Sequence, residues 1–278
     1  MKPLQAKKLD YDRPGVGPHK GDNGRVLVVG GSKGYVGCVY LSAIAALRSG
    51  ADYVTVAAPE KVAFTINRMS PDLVTVKLPG DYITSMSGIN PLFEKCDVML
   101  FGNGMGTNKT TAQVMQKLAQ APMLKVLDAA ALRVVSMKNL EDAVLTPHLG
   151  EFFALVKTTT GVQLSGSDHE KIAQKGWQLL RPYLDTNIVV LKGATDYVLT
   201  KNEIFYNTLG NPRMRVAGTG DVLAGAISGI LAQHKQPLKS IEIALPAVCS
   251  AGDILYAELK GSYTASDLLA VLHRTIFK

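Results

Sequence analysis

The chain has 278 residues, of which 47% are hydrophobic and 19% are charged, and such a composition is typical of a soluble globular protein with a substantial core. Its net charge of +7 is mild and is not gathered into runs, which argues against a nucleic-acid-binding surface but suits an anionic small-molecule ligand. No apolar run reaches the about 20 residues of a membrane span, and residues 1–20 lack the apolar region of a secretory signal. We therefore expect a cytoplasmic protein that binds neither membranes nor nucleic acids.

The three cysteines, Cys38, Cys96 and Cys249, are an odd number and show no metal-ligand spacing. Cys38 and Cys249 lie in apolar segments. We expect mostly buried, reduced thiols, as in a reducing compartment, and no metal held by a cage of side chains.

The first regular unit begins after residues 1–24, where the density of Pro and Gly predicts an irregular arm. A buried strand at 25–29, a glycine-rich loop at 30–37, an apolar helix at 38–48 and a strand at 53–56 form a βαβ unit. The loop matches neither a P-loop nor the dinucleotide fingerprint. Both a ligand-binding loop and a plain strand-to-helix turn stay open for it.

The alternation of strands and helices continues, with a second glycine loop, Gly102-Asn103-Gly104-Met105-Gly106, at the end of a strand. The predicted elements are a helix at 60–69, strands at 73–77 and 97–101, a helix at 110–120, strands at 123–127 and 143–145, a helix at 168–183 and a strand at 187–191. No linker interrupts the pattern. It predicts a doubly wound, mostly parallel α/β sheet flanked by helices, in a single domain of residues 1–278.

The last third of the chain predicts a hairpin and three helices. Segments 197–200 and 203–206 flank a Lys201-Asn202 turn, which indicates an antiparallel edge of the sheet. An apolar helix follows the glycines at 218–220, and two more helices are predicted at 241–259 and 267–277. Thr264 and Asp267 predict a capping box before the last helix.

The stretch Gly218-Thr219-Gly220-Asp221 opens an apolar, helix-periodic segment. A glycine-rich turn at a helix start presents unpaired N–H groups and the positive end of the helix dipole, which together hold an anion. A carboxylate beside that anion is expected to do chemistry, such as taking a proton from a hydroxyl that attacks a phosphoryl group. The alternative is an acidic residue that merely suits the first turn of a helix.

Two further polar loops follow predicted strands, and both keep two interpretations. His148, in Pro147-His148-Leu149-Gly150-Glu151, could contact a ligand or be structural. Lys192 and Gly193 could bind phosphate or form a solvated turn. Because the carboxyl ends of parallel strands share one edge, all these loops are expected in one crevice.

Taken together, the motifs resemble those of the ADP/ATP-dependent NAD(P)H-hydrate dehydratase family of the ribokinase-like superfamily. They cover almost the whole chain in the expected order: His19-Lys20-Gly21-Asp22, Gly30-Gly31-Ser32, Arg48-Ser49-Gly50-Ala51, Leu145-Thr146-Pro147-His148 with Gly150-Glu151, Val190-Leu191-Lys192-Gly193-Ala194, Gly210-Asn211-Pro212 and Gly218-Thr219-Gly220-Asp221-Val222-Leu223-Ala224-Gly225. The resemblance implies repair of hydrated NADH or NADPH. The nucleotide phosphorylates the ring hydroxyl of the S epimer, and phosphate is then eliminated.

By this likeness Asp221 would deprotonate the hydroxyl, and the N–H groups of Gly218 to Gly220 would stabilise the transferring phosphoryl group. The remaining positions that match the family fall into two groups. Substrate would be contacted by Cys38, Gly104 or Gly106, His148 and Asp221. Nucleotide would be bound by Lys192, Gly193, Ala194, Thr195, Asp196, Thr219 and Gly220.

The resemblance also implies partners. ADP or ATP would be the phosphoryl donor, with ADP favoured by family habit, and Mg²⁺ would be held largely by nucleotide phosphates and water. NADH hydrate or NADPH hydrate would be the substrate. A homotetramer is expected, together with a separate NAD(P)H-hydrate epimerase, which many family members carry as an N-terminal domain.

Four positions depart from the family pattern. Ala130 replaces the second carboxylate of an Asp-Ala-Asp motif that begins at Asp128, Leu149 replaces a proline, and Arg213 and Ala217 replace glycines. Arg213 and Arg215 could contact phosphate or cover the surface. Two alternatives therefore remain: a small-molecule kinase of the same superfamily, acting on a thiazole, pyrimidine or sugar alcohol, and a non-catalytic nucleotide-binding protein.

Overall fold

A computed structural model describes residues 1–9, 19 and 21–277, and ten strands of this part form one sheet. The strands are β1 (Lys2–Pro3), β2 (Arg25–Val29), β3 (Tyr53–Pro59), β4 (Val74–Leu78), β5 (Val98–Phe101), β6 (Leu124–Leu127), β7 (Ala143–Leu145), β8 (Ile188–Leu191), β9 (Asp196–Leu199) and β10 (Ile204–Asn207). The helices are α1 (Gly37–Arg48), α2 (Glu60–Met69), α3 (Lys109–Ala119), α4 (Ala131–Val134), α5 (Leu149–Thr160), α6 (His169–Leu180), α7 (Thr219–His234), α8 (Pro237–Leu259), α9 (Ala265–Val271) and α10 (His273–Ile276).

The order across the sheet is β1-β10-β9-β8-β7-β6-β5-β2-β3-β4. The strands from β8 to β4 are all parallel, and β9 is antiparallel to both of its neighbours. The chain builds outward from β2 through β3 and β4, then returns to add β5 on the other side of β2. Such a reversal opens a crevice at the carboxyl ends of the two strands, where ligands bind in open α/β sheets.

Helices cover both faces of the sheet, which confirms the predicted doubly wound architecture. Alternate residues of one strand serve the two cores: Val26 and Val28 pack on the face with α1, α7 and α8, whereas Leu27 and Val29 pack on the face with α3, α5 and α6. All four of these side chains are buried. Continuous apolar strands are expected where both faces are covered.

The predicted irregular arm needs a correction at its start, because Lys2–Pro3 forms β1 and pairs in parallel with β10. The predicted hairpin exists as β9 and β10, but β1 lies outside it and is the true edge of the sheet. A two-residue strand containing proline carries no strand signal of its own, and its pairing is purely long-range. Residues 10–18 of the arm, and Lys20 of the His19–Asp22 motif, lie outside the described residues.

Helix α5 was not predicted, and another helix has different bounds. No helix was predicted over Leu149–Thr160, whose first three residues were assigned to a polar loop, but these residues form α5. The helix predicted at 267–277 begins at Ala265 and is interrupted at Leu272, whose carbonyl accepts a bond from Thr275 N–H. The predicted capping pair is present, since the Asp267 carboxylate accepts from the backbone N–H of Thr264 at 2.7 Å.

The longest helix, α8, lies inside the core. By length and composition alone the segment Pro237–Ser262 could cross a membrane, but 72% of its apolar window is buried within the protein. The helix begins earlier than the 241 predicted, because Pro237 occupies its first turn, where the missing N–H costs nothing. The burial indicates a core helix.

The contact between α1 and α7 brings two functional loops together. A Cβ added at Gly225 of α7 would lie 2.2 Å from the Ser42 carbonyl oxygen of α1 and 2.8 Å from Ala45 Cβ. Only glycine permits this approach. Since α1 follows the 30–37 loop and α7 follows Gly218, the close packing fixes the distance between the two loops.

Gly225→Ala is expected to destabilise the fold by about 2–3 kcal/mol, because the added methyl meets backbone atoms that must shift. Chemical denaturation of the purified protein measures the loss. Gly261→Ala is the matched control, since a Cβ there meets no atom within 4 Å. Equal stability of the two variants would contradict the tight α1–α7 contact.

Candidate active site

The first turn of α7 carries Asp221 directly after an uncapped helix start. Gly218 is the N-cap with φ +97°, a left-handed conformation that glycine adopts without strain, and within the described residues no side chain caps this end. The Thr219 hydroxyl points backwards and donates to the carbonyls of Met214 at 2.7 Å and Val216 at 3.1 Å. The Thr219 N–H is weakly bonded to the Val216 carbonyl at 3.4 Å. The N–H of Gly220 lies in the first turn, where helix N–H groups lack intrahelical partners and can hold an anion.

Asp221 is held by Asn103, which follows β5. The Asn103 amide donates from Nδ2 to Asp221 Oδ1 at 2.6 Å. Burial raises the pKa of Asp221 from 3.8 to about 6, and repulsion from Asp128 adds to the rise against the opposing effects of Asn103 and Lys192. A carboxylate with a pKa near neutrality accepts a proton more readily than an exposed aspartate does.

Asp128, at the end of β6, is the hub of the polar site and is only 3% exposed. Its Oδ1 accepts hydrogen bonds from Lys192 Nζ and from Thr146 Oγ1, each at 2.9 Å. Its Oδ2 accepts from Asn103 Nδ2, also at 2.9 Å. Asp128 therefore links the ends of β5, β6, β7 and β8 in one network.

Lys192 lies between this network and the start of α7. A Cβ built at Gly220 would be 3.1 Å from Lys192 Nζ, so the ammonium faces the predicted anion-binding turn. Burial alone would lower the pKa of Lys192, but the carboxylates of Asp128 and Glu151 outweigh it and raise the pKa above its usual value. Lys192 therefore stays charged and can attract phosphate.

His148 forms the start of α5. Its Nδ1 accepts from the N–H groups of Gly150 at 3.0 Å and Glu151 at 3.3 Å, and the Glu151 carboxylate accepts from the His148 N–H at 3.0 Å. The same carboxylate lies 3.2 Å from His148 Nε2. Burial would raise the pKa of Glu151, but the bond from His148 and the charge of Lys192 hold it below its usual value. The His148 ring is 52% exposed and remains open to a ligand at the crevice mouth.

Cys38 and Gly104 lie against each other on the opposite side of the crevice. A Cβ at Gly104 would be 2.6 Å from Cys38 Sγ, and the Gly104 carbonyl accepts from Ser32 at 2.8 Å. Burial, with the nearby charge of Asp221, raises the pKa of the Cys38 thiol to about 12. The Cys38 thiol is thus protonated and contributes to packing. Gly106 lies further along the same loop, with Tyr82 as its nearest neighbour.

Asp196 stabilises the turn after Lys192 through hydrogen bonds on its buried side. The Asp196 carboxylate accepts from Gly193 N–H at 2.9 Å and from Asn207 Nδ2 at 3.0 Å, and it is 7% exposed. Gly193 and Ala194 are exposed, and Thr195 is half-buried. The structure therefore offers the outer turn to a ligand, whereas Asp196 shapes the turn from behind.

The positions that depart from the family pattern surround the site. Arg213 donates from Nε to the Tyr263 carbonyl at 3.3 Å, so part of its guanidinium is engaged within the protein. Ala130 precedes α4, Leu149 is the first residue of α5, and Ala217 is exposed beside Gly218. All three cysteines are free thiols.

Asn103, Asp128, Thr146 and Glu151 were not predicted as site residues. The first three lie within two residues of the end of a buried strand, so the rule that ligands bind at strand ends could have found them. Glu151 was hidden because histidine is not among the favoured N-cap residues and the capping box was not recognised.

Comparison with known proteins identifies relatives of this chain. A profile described as NAD(P)H-hydrate dehydratase matches residues 26–274. The ADP-dependent (S)-NAD(P)H-hydrate dehydratase of Nitrosopumilus maritimus is 34% identical and covers 90% of this chain and 87% of its own. The bifunctional NAD(P)H-hydrate repair enzyme of Methanothermobacter thermautotrophicus is also 34% identical over 98% of this chain, which spans 53% of that relative. The chain thus spans about half the length of the bifunctional relatives.

Among solved structures, the ADP/ATP-dependent NAD(P)H-hydrate dehydratase of Bacillus subtilis, co-crystallised with ATP and Mg²⁺, superposes with a TM-score of 0.80 at 23% identity, covering 96% of this chain and 93% of its own. The hydroxyethylthiazole kinase of Pyrococcus horikoshii has a TM-score of 0.63 at 19% identity, with 93% and 91% of the two chains covered. These likenesses confirm the predicted ribokinase-like fold. By the profile match and its relatives, the chain belongs to the NAD(P)H-hydrate dehydratase family.

Proposed function

We propose that the chain dehydrates the S epimer of hydrated NADH or NADPH at the expense of a nucleotide. The observation that carries the proposal is Asp221, a carboxylate with a pKa of about 6 placed beside the uncapped start of α7 and the Lys192 ammonium. A base, an anion hole and a cation within one crevice are the parts that phosphoryl transfer to a hydroxyl requires.

The reaction proceeds in two steps. In the first step Asp221 takes the proton of the ring hydroxyl. The hydroxyl oxygen forms a bond to the terminal phosphorus of the nucleotide, and the bond from that phosphorus to the departing nucleotide oxygen breaks. The N–H groups at Gly218 to Gly220 stabilise the charge on the transferring group. In the second step phosphate leaves the ester with the electrons of the C–O bond, the neighbouring ring carbon loses a proton to form the C=C bond, and the dihydronicotinamide is restored.

The remaining predicted site residues form two groups, one on the substrate side and one on the nucleotide side. Cys38, Gly104, Gly106 and His148 line the substrate side, where Cys38 and Gly104 are in contact. Lys192, Gly193, Ala194, Thr195 and Asp196, with Thr219 and Gly220, form the nucleotide side. Contact there is made by the Lys192 ammonium and exposed backbone, and Asp196 keeps the turn in shape.

Mg²⁺ is expected to enter with the nucleotide. The described residues contain no group of three or more His, Cys, Asp or Glu side chains that could hold a metal, and a Mg²⁺ ion held by phosphates and water needs none. When bound, the ion neutralises phosphate charge. The protein's own contribution to that task is Lys192.

ADP is the proposed donor, because the similar Nitrosopumilus maritimus enzyme is named for it. The chain is further proposed to act as one catalytic domain, to assemble as a homotetramer, to work in the cytoplasm and to act alongside a separate NAD(P)H-hydrate epimerase. Free thiols at all three cysteines support a reducing compartment. Sedimentation at micromolar concentration tests the tetramer.

Incubation with hydrated NADH, Mg²⁺ and either nucleotide tests the function. Recovery of the dihydronicotinamide absorbance with ADP, and more slowly with ATP, is the expected result. No recovery with either nucleotide, together with phosphorylation of an alcohol such as hydroxyethylthiazole, would replace the proposal by the kinase alternative. Nucleotide binding without any turnover would replace it by the non-catalytic one.

Turnover is expected to fall as the pH falls through about 6, because Asp221 then becomes protonated and can no longer accept the hydroxyl proton. Below that point kcat should drop about tenfold per pH unit. A pH profile at saturating substrate and nucleotide measures this. A kcat that stays constant down to pH 5 would rule out a base with the environment of Asp221.

A further inference from the structure

Asn103 lies at the point where the order of strands reverses. It lies two residues after the end of β5, and its backbone carbonyl accepts from Gly31 N–H, after β2, at 2.8 Å. The residue is fully buried at 0% exposed. Its backbone is thus tied to the neighbouring strand end, and its side chain has a fixed origin.

The side-chain amide bridges two carboxylates. Nδ2 donates to Asp221 Oδ1 at 2.6 Å and to Asp128 Oδ2 at 2.9 Å. Because both partners are acceptors, only the NH₂ group can face them, which decides the orientation of the amide. Both protons of that NH₂ group are therefore used.

The other end of the amide is unsatisfied. Asn103 Oδ1 is buried and has no hydrogen-bond partner within the described part of the chain. A buried acceptor without a partner costs free energy that a nonpolar side chain at this position would avoid. An amide is therefore costly here, and what it supplies is the bridge between two carboxylates.

We infer that Asn103 is a positioning residue of the proposed reaction: its amide holds the Asp221 carboxylate in place and relieves its repulsion with Asp128. The inference rests on the proposed function. The Asn103 amide also joins the two sides of the crevice, since Asp128 is bonded to Lys192 on the nucleotide side. Asp221, Asn103, Asp128 and Lys192 thus form one continuous hydrogen-bonded chain.

Several charged or titratable groups from other elements face Asp221 and act on its proton affinity. These groups are Asp128 at the end of β6, Glu151 of α5, Lys192 at the end of β8 and Cys38 of α1. Asp128 and Glu151 raise the pKa of Asp221, and Lys192 lowers it. Asn103 is uncharged and also lowers the pKa of Asp221, through a hydrogen bond to the charged form.

Asn103→Leu tests the inference because leucine has a similar size but cannot donate. The expected result is a kcat about tenfold to a hundredfold lower at pH 7, with KM for substrate and nucleotide changed by less than about threefold. The midpoint of the acidic limb of the pH profile should move upwards by about one pH unit. The upward movement is specific to lost support of the carboxylate.

Asn108→Leu is the matched control. Asn108 caps α3 by accepting from Thr111 N–H at 3.0 Å, a bond local to the start of that helix. This variant should lower the melting temperature but leave the acidic midpoint where it is. If Asn103→Leu also leaves the midpoint unchanged, whatever happens to kcat, Asn103 has a structural role only and the inference fails.

A titration without substrate separates this inference from the proposed function. The carboxyl carbon of Asp221, assigned with Asp221→Asn, is followed by ¹³C NMR from pH 4 to 9. The wild-type midpoint should lie near 6 and rise in Asn103→Leu. Lack of turnover in the wild type would refute the proposed function and leave this titration valid; coincident midpoints would overturn the bridge. If the leucine variant does not fold, Asn103→Ser, too short to reach both carboxylates, is titrated instead.

Discussion

Asp221→Asn is expected to lower kcat by about two to four orders of magnitude, the usual contribution of a general base. The side chain keeps its size and its place in the first turn of α7, but it no longer accepts a proton. Nucleotide affinity should stay within about threefold of the wild type or become slightly tighter, because a carboxylate that repels phosphate has been removed. Single-turnover kinetics and calorimetric nucleotide titration measure the two effects.

The same variant is expected to be more stable than the wild type at pH 8. In the folded chain the pKa of Asp221 is raised from 3.8 to about 6, so the folded state binds a proton more tightly than the unfolded state does. Its contribution to stability is therefore lost as the pH rises through about 6, and above that pH the buried charge is unfavourable. Removing the charge should add about 1–2 kcal/mol to the free energy of unfolding at pH 8.

Asp185→Asn is the matched control for both measurements. Asp185 is 69% exposed and pairs with Lys201. It precedes β8, so it lies at the amino ends of the strands, away from the crevice at their carboxyl ends. Its loss should change neither turnover nor stability by a measurable amount. Substantial turnover in Asp221→Asn would refute the assignment of Asp221 as the base, and a loss of stability at pH 8 would refute its unfavourable burial.

Lys192→Met is the second change with a large expected effect. Methionine keeps most of the aliphatic stem, but Asp128, 5% exposed in its side chain, loses its ammonium partner. Breaking a buried ion pair from one side is costly, and we expect the protein to lose about 3 kcal/mol of stability. Nucleotide affinity should fall about tenfold to a hundredfold, since a charge-assisted bond to phosphate is lost.

Lys201→Met separates these effects from the loss of any lysine. Lys201 forms an ion pair with Asp185 at 2.9 Å, as close as the Lys192–Asp128 pair, but Asp185 is 69% exposed. This variant should lose less than about 1 kcal/mol and bind nucleotide normally. Wild-type nucleotide affinity in Lys192→Met would remove Lys192 from the phosphate site, even if the variant proved unstable.

The sheet was largely predictable because its signals are local. Buried strands such as 25–29 are continuous apolar runs, and each is followed by glycine or polar residues, so the parallel architecture and its functional edge could both be inferred. β1 could not be predicted, since Lys2–Pro3 acquires its conformation only by pairing with residues about 200 positions away. Helix α5 was not predicted, and the histidine that caps its start gives no usual N-cap signal.

The site was predictable in its outline and incomplete in its interior. Asp221, Lys192 and His148 stand in recognisable motifs, whereas the role of Asn103 depends on a bridge between residues 25 and 118 positions away. Asp128 was noted only as part of an altered motif, and its three side-chain donors come from three other strand ends. Such convergence is a property of the folded sheet and leaves no spacing in the sequence. The bonds of Asp196 to Gly193 and Asn207 likewise appear only in the folded chain.

The ratio of phosphate released to dihydronicotinamide recovered tests the central claim most directly. Hydrated NADH is incubated with Mg²⁺ and limiting ADP, and both products are measured in the wild type and in Asp221→Asn. We predict one phosphate for each dihydronicotinamide in the wild type and neither product in the variant. Consumption of nucleotide with phosphate retained on the substrate, or recovery of dihydronicotinamide without nucleotide, would contradict phosphorylation at Asp221 followed by elimination.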